Sequence, residues 1–327
     1  MALKVGIPRA LMFYDYWPLW KRFFTELGAE VVFSDPTSKK ILNDGIRATV
    51  DEACLPIKIY HGHVLNLNGK VDYIFIPRLV SVKRKEYLCP KLSGLPDMIK
   101  NNINIISKTI EIDVDWSKNK KNLKKEVYRI GKIFTNNPFK IIYAYNNALK
   151  ELKNYRKKLT KGFVSEDFFH QATMPQKKFV LDDCNLKIGV LGHPYLVYDS
   201  FVNMNLINKL KKMKITVLTP EMLSYDIIKN QVQKLEKPLF WSLGNRLLGN
   251  VLYYQEHQDR KLIDGIIYLV SFGCGPDSLI GELAERWIRK NSNIPFLLLT
   301  IDEHTGEAGV DTRIEAFLDM IERRKKK

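Results

Sequence analysis

The stretch Asp264–Trp287 constrains the fold more than any other part of the chain. Ile266–Val270 is a short apolar run rich in β-branched residues, the composition of a buried parallel strand. Leu279, Leu283 and Trp287 recur at helical spacing, so a helix is predicted to follow. Between them stands Ser271-Phe-Gly-Cys-Gly-Pro-Asp-Ser278. Gly273 and Gly275 allow sharp turns on both sides of Cys274, and Pro276 and Asp277 suit the first turn of a helix. Cys274 is therefore expected at a strand's carboxyl end, just before a helix N-terminus. Open α/β sheets bind ligands there, and the helix dipole favours a thiolate. These residues alone leave three readings open: a small buried thiol in a tight turn, a nucleophile elbow, or a metal ligand.

Upstream, the pattern repeats at the level of elements. Strands are predicted at Lys4–Pro8, Glu30–Phe33, Asp72–Pro77 and Ile103–Ile112. Helices are predicted at Tyr14–Leu27, stopped by Gly28, from near Lys39 or Ile41, and at Ile57–Leu67 beyond a break at Pro56. This β-α-β-α-β alternation implies a parallel sheet with helices on its faces. A second α/β unit follows, with strands Leu186–Leu191, Ile215–Thr219, Gly265–Val270 and Pro295–Ile301 and a C-terminal helix from Thr312 to about Arg323. Residues 116–170 are basic and read as mostly helical, with Leu123, Val127, Ile130 and Phe134 on one face. The expected organisation is an N-terminal α/β domain (1–115), a helical connection (116–184) and a C-terminal α/β domain (185–327).

A chain of 327 residues is long enough to bury two such cores. No apolar run approaches a membrane span. Arg9 and Asp15 break the N-terminal apolar stretch, so no signal peptide is read and a cytoplasmic location is expected. The formal net charge is +16, and more than half of that surplus lies in residues 101–160. Such a surface attracts nucleic acid, an acidic protein or coenzyme phosphates. Aromatic residues are not interleaved with the lysines as a base-stacking platform requires. The segment therefore reads as a solvated helical face, and nucleic acid is not an expected partner. GxGxxG after the first strand, a Walker A loop and GxSxG are all absent, so nucleotide hydrolysis by this chain is not suggested.

The remaining chemistry lies in four cysteines and a few loop residues. Cys54, Cys89 and Cys274 each stand where a loop meets a helix. Soft thiolates select iron–sulfur clusters or zinc, although these spacings match no local motif. Cys184, in Asp182-Asp-Cys-Asn, precedes a strand and reads as incidental. His61, His63, His193 and His304 lie near strand or helix ends, where a histidine is a hydrogen-bonded loop residue or an acid or substrate contact. Asp302, Glu303 and Glu307 form either a general acid–base set or helix caps. Tyr195 and Tyr198 read as packing residues.

Five motifs together are more specific than any one: Glu52-Ala-Cys-Leu-Pro-Ile-Lys-Ile-Tyr-His-Gly-His63, Cys89-Pro-Lys-Leu-Ser-Gly-Leu-Pro96, Gly192-His-Pro-Tyr195, Phe272-Gly-Cys-Gly-Pro-Asp-Ser278 and Asp302-Glu-His-Thr-Gly-Glu-Ala-Gly309. The set resembles the 2-hydroxyacyl-CoA dehydratase and benzoyl-CoA reductase superfamily, most nearly its acyl-CoA dehydratase activase-related branch, kin to the double-cubane-cluster proteins. The resemblance covers about residues 4 to 320. It implies two Rossmann-like or flavodoxin-like domains with a three-cysteine iron–sulfur site between them (4Fe-4S or double-cubane type), carried here by Cys54, Cys89 and Cys274. One iron would lack a cysteine ligand and be open to a substrate carbonyl or water. It also implies that electrons arrive from a separate ATP-dependent activase, which is then an expected partner, together with a small-molecule substrate, possibly an acyl-CoA, and a dimeric assembly. His193, Glu303 and His304, on loops after strands of the second domain, are the candidates for protonating that substrate. A non-catalytic, cluster-bearing electron relay or regulator of an activase is the alternative expectation. A basic nucleic-acid-binding protein with structural cysteines is the third.

Overall fold

The computed structural model describes residues 2–117, 120–163, 186–237 and 239–326, with main chain only for 120–122. Cys184 and the end of the expected helical connection lie outside the described residues. The chain divides into two compact units, Met1–Lys157 with Leu239–Ser242, and Lys158–Pro238 with Leu243–Lys327. Each is an α/β unit built on a four-stranded, all-parallel sheet flanked by helices. The parallel sheets are those that the alternating pattern implies, and the Rossmann/flavodoxin-like class is the one that the family resemblance implies.

In the first unit, β1 (Lys4–Ile7), β2 (Glu30–Phe33), β3 (Tyr73–Ser81) and β4 (Lys108–Asp115) are ordered β2-β1-β3-β4. Helix α1 (Phe13–Leu27) crosses from β1 to β2 and ends on Gly28, whose φ of 96° gives the left-handed turn of a C-cap. Its Phe23, Phe24 and Trp20 pack into the core, with Trp20 and Phe24 against Phe75 of β3. Helices α2 (Lys39–Arg47) and α3 (Leu55–Leu67) lead from β2 to β3. They touch through backbone. A Cβ added at Gly45 would lie 1.9 Å from the Lys58 carbonyl oxygen, and one at Gly62 would lie 1.9 Å from that of Ile41. Helices α4 (Pro90–Ser93) and α5 (Leu95–Asn102) lead from β3 to β4.

Two expected boundaries shift. The third strand does not stop at Pro77 but runs on to Ser81, because β1 pairs with β3 only at Tyr73 and Ile74. By Pro77 only β4 lies alongside, so its missing amide interrupts no ladder on the other side. The fourth strand begins at Lys108 rather than Ile103. Asn68 accepts hydrogen bonds from the amides of Ile106 and Ser107 and donates to the Asn104 carbonyl, fixing that stretch as a loop. Beyond β4 come α6 (Lys120–Gly131) and α7 (Pro138–Leu159), both in the predicted basic region. Ile141, Ala144, Ala148, Leu152 and Tyr155 form the buried stripe of α7, and the Tyr155 hydroxyl donates to the Tyr14 carbonyl at 2.7 Å.

The second unit repeats the order. Strands β5 (Leu186–Leu191), β6 (Ile215–Leu218), β7 (Gly265–Ser271) and β8 (Phe296–Ile301) are arranged β6-β5-β7-β8. All seven residues of β7 are buried, as a doubly covered parallel strand requires. Helices α8 (Pro194–Val197), α9 (Leu206–Lys212), α10 (Tyr225–Val232), α11 (Ser242–Glu256), α12 (Gly275–Asn291) and α13 (Glu307–Lys325) complete it. The last begins five residues before the expected start. The helix after Cys274 is present, but its buried residues are Asp277, Ile280, Gly281, Ala284 and Ile288. Leu279 and Leu283, part of the apolar spacing that announced it, are exposed at 64% and 38%.

Candidate functional site

In both sheets the first strand's crossover goes to one side and the chain then continues on the other. This leaves a switch point between β1 and β3 in one unit and between β5 and β7 in the other. Ligands of open α/β sheets bind at the carboxyl edge of that point. Helices returning to a parallel sheet run antiparallel to its strands, so their N-termini lie at this same edge.

In the first unit, Cys54 is the N-cap of α3 and Cys89 the N-cap of α4. Both have extended backbone, with φ/ψ of −65°/151° and −56°/139°, and both are followed by a proline in the first helical turn. Their carbonyl oxygens accept the first helical bonds, from Ile57 at 2.9 Å and from Leu92 at 2.9 Å. Neither sulfur is engaged in capping. Burial pushes the Cys54 thiol up from its ordinary value, Lys91 pulls it back, and Cys89 adds a smaller rise. The two thiols and the Lys91 ammonium therefore act on one locality.

In the second unit, Cys274 is the N-cap of α12 and Pro276 lies in its first turn. Gly273, at φ 74°, supplies the left-handed turn that brings the chain off β7. Gly275 needs no such freedom and begins the helix. His193, directly after β5, is the N-cap of α8 and precedes Pro194. Its ring and the Asp277 carboxylate are almost wholly buried, with Nε2 3.5 Å from Oδ1. Ligand atoms of His193, Cys274 and Asp277 all lie within 4.8 Å of one another. Burial raises the Asp277 carboxyl, with His193 and the Ser271 backbone pulling it back. The Tyr268 hydroxyl is pushed well up, first by burial, then by Asp277 and Cys274. The sequence reading treated Asp277 only as a first-turn residue. Its signal was present: an acidic residue three positions after Cys274, on the face that α12 buries.

Glu303 and His304 follow β8 at the same edge of the sheet, half-buried and exposed respectively, and are not members of the His193–Cys274–Asp277 group. Asp302 organises their loop. It accepts from the His304 amide at 2.9 Å and from the Thr305 hydroxyl at 2.7 Å, and that hydroxyl bond first, then the amides, hold its carboxyl below the usual range. Glu307 pairs with Lys209 at 2.6 Å in the first turn of α13, a structural role.

Other candidates prove structural. His61 and His63 lie inside α3, fully buried, not at a strand or helix end. The His63 ring bonds Ser34 at 2.8 Å and Thr37 at 2.9 Å, and burial, then Arg9, lowers its pKa to about 3. The His61 Nδ1 meets the Ile57 carbonyl at 2.8 Å. Tyr198 is buried and donates to Thr219 and Glu221. Arg78 lies in β3 and is held by Asp97, Asp113 and the Ser93 carbonyl.

No helix among the described residues is long and apolar enough to cross a membrane. No curated protein gives a significant match to the chain. Residues 4–223, well over half of the chain, match the model of the family described as CoA enzyme activase uncharacterised domain (DUF2229). That span holds the whole first sheet, β5 and β6 of the second, and the Cys54, Cys89 and His193 motifs, and by this match the chain belongs to the CoA enzyme activase uncharacterised domain family.

Proposed function

We propose that this chain is an iron–sulfur protein that accepts low-potential electrons from a separate ATP-dependent activase for the reduction or dehydration of a small substrate, an acyl-CoA by class. Cys54, Cys89 and Cys274 are the proposed ligands. The observation that carries the reading is their shared placement. Each caps a helix N-terminus, has a proline within two residues, and keeps its sulfur clear of the capping bonds. A thiol that merely fills space needs none of these. The donor set is chemically apt, since three soft thiolates suit an iron–sulfur cluster and not a hard cation. Ligation deprotonates a thiol that burial otherwise keeps neutral, and Lys91 beside Cys54 offsets the added charge.

When bound, such a cluster supplies an electron at low potential and a Lewis-acid contact for a carbonyl oxygen. The chain's own groups do the rest. His193, oriented by Asp277 and lying against the Tyr195 ring, is the proposed proton carrier, with Glu303 and His304 on the loop after β8. A dimeric, cytoplasmic protein is part of this reading. A second reading rests on the convergence of His193, Cys274 and Asp277: a nitrogen, sulfur and oxygen set suits a single zinc ion.

The test is anaerobic purification with iron, sulfide and zinc quantified beside EPR. Iron and sulfide in the wild type, lost or labile in Cys54→Ser, Cys89→Ser and Cys274→Ser, support the first reading. Zinc alone, lost in His193→Ala and Asp277→Ala, supports the second, and a metal-free protein sinks both. Mixing the loaded protein with activase, reductant and ATP should then change the EPR signal only when ATP and activase are both present. Equal reduction without them overturns the electron-acceptor assignment, and acyl-CoA turnover separates an enzyme from an electron relay.

A further inference from the structure

We infer that the first unit carries a binding site for a small, compact, mostly apolar molecule with one hydrogen-bond acceptor, seated in a cavity at the carboxyl edge of β1 and β3 and held by the Tyr60 hydroxyl. This site is independent of the thiol chemistry above. The cavity measures about 190 Å³. Ile7 and Pro8 of the β1 end and Pro77 and Leu79 of β3 line it. It thus lies at the first sheet's topological switch point, where α/β sheets take their ligands. The size is informative, because an apolar cavity of roughly 150 Å³ in a protein core suffices to bind benzene. This cavity therefore suits one ring or a short branched chain with a small substituent.

The lining decides the chemistry. Trp20 and Phe75 give aromatic walls, and most of the remaining surface is aliphatic. Tyr60 projects from α3 into this lining; it is 3% exposed, and its hydroxyl has no hydrogen-bond partner among the described residues. Leaving such a group unsatisfied costs roughly 1–3 kcal/mol, so a buried, unpartnered hydroxyl on a cavity wall calls for an explanation. Water is a poor answer, because a buried water needs two to four polar partners and the lining is predominantly apolar, its side chains with polar atoms being Tyr16, Trp20, Tyr60, Trp116, Tyr145 and Arg156. An apolar molecule carrying a carbonyl-type oxygen answers both needs at once. Burial raises the Tyr60 phenol far above its ordinary value, so it stays protonated and donates. The lining reaches the surface at Trp116 and at Leu149 and Arg156 of α7, all exposed, and the entrance is assigned there.

The experiment uses the full chain and two probes of nearly one shape, acetophenone and α-methylstyrene, which differ in C=O against C=CH2. Calorimetry, with saturation-transfer NMR for weak binding, is run on wild type, Tyr60→Phe and Leu149→Trp. The wild type should bind acetophenone about fivefold or more tightly than α-methylstyrene, the worth of one hydrogen bond near 1 kcal/mol. Tyr60→Phe should bring that ratio to about one while keeping α-methylstyrene. Leu149→Trp, at a position 41% exposed and so tolerant of bulk, should weaken both by plugging the entrance. Failure of both probes to bind the wild type, equal binding of the two, or a preference that survives in Tyr60→Phe overturns the assignment.

Discussion

Replacing Gly62 with alanine tests how the first thiol is positioned. Two effects oppose each other. In a helix interior, alanine is favoured over glycine by roughly 1 kcal/mol, and Gly62 is helical with no positive φ. Propensity alone therefore predicts a more stable protein. Against this, the new Cβ would stand 1.9 Å from the Ile41 carbonyl oxygen and 2.9 Å from Ile41 Cγ2. The nearer neighbour is backbone of α2 and has no rotamer to yield. Real Cβ contacts are essentially never under 3.0 Å, so α2 and α3 must part by more than 1 Å. A gap of that size forfeits a quarter to a half of the dispersion energy across it, and it loosens Ile41 and Ile57, both buried. Overpacking of this kind costs typically 1–3 kcal/mol or more, so the clash wins and a net loss of about 2 kcal/mol is expected. Urea unfolding at constant m-value measures it, with hydrogen exchange of the α3 amides to localise the loss. Gly45→Ala should behave alike, since its Cβ meets the Lys58 carbonyl at the same distance. The double variant should cost less than the two single losses together, because one separation relieves both clashes. A Gly62→Ala protein as stable as wild type would refute the reasoning outright.

Two further outcomes concern charge. His63 titrates at about 3 in the fold against about 6.5 in an open chain. Between those values the unfolded state binds the extra proton, so stability falls as pH falls; from pH 7.5 to 5 the wild type should lose about 2 kcal/mol more than His63→Gln, and parallel pH profiles would count against it. Lys91 lowers the Cys54 thiol against the effect of burial, so Lys91→Gln should slow Cys54 alkylation in the metal-free protein at pH 8 by a few-fold, measured by mass spectrometry after timed iodoacetamide exposure; an unchanged rate would remove Lys91 from the site.

The parallel sheets were legible because their strands are continuous apolar runs between glycine and proline punctuation, as at Ile266–Val270. Boundaries drifted where a partner strand decides them. Pro77 reads as a stop in sequence, yet it is tolerated because β1 has already ended. The α12 case is subtler. Leu279, Leu283 and Trp287 report a helix correctly through their period, but the buried face is carried by Ile280, Gly281, Ala284 and Ile288. Small residues packed against a sheet give a weak hydropathy signal, so the burial of Asp277 on that face was hidden with them. The histidines failed differently. His61 and His63 look chemical by residue type, but their partners Ser34, Thr37 and Asn102 are far off in sequence. Only the packing of α3 brings these groups together and leaves the two rings as buried polar ties.

The helix caps carry the strongest internal comparison. Ser38 and Ser224 cap α2 and α10 in the ordinary way, each accepting from the third helical amide, that of Ile41 and of Ile227. Cys54, Cys89, His193 and Cys274 occupy the same position at the heads of other helices and make no capping bond. Replacing a good cap by a residue that does not cap costs typically about 1 kcal/mol, and these four helices, like α1, α5, α9 and α13, go without a side-chain cap. At each of the four a proline stands in the first turn. It fixes φ and presents no amide of its own. At Cys89 and His193, which directly precede proline, it also confines the backbone to the extended region, as their ψ values of 139° and 147° show. Main-chain geometry, and not a capping bond, thus sets the backbone from which these side chains project. Two of the four, His193 and Cys274, flank the second switch point, where the sheet's topology opens a crevice. A serine at any of these positions could supply the capping bond that the present residue does not make.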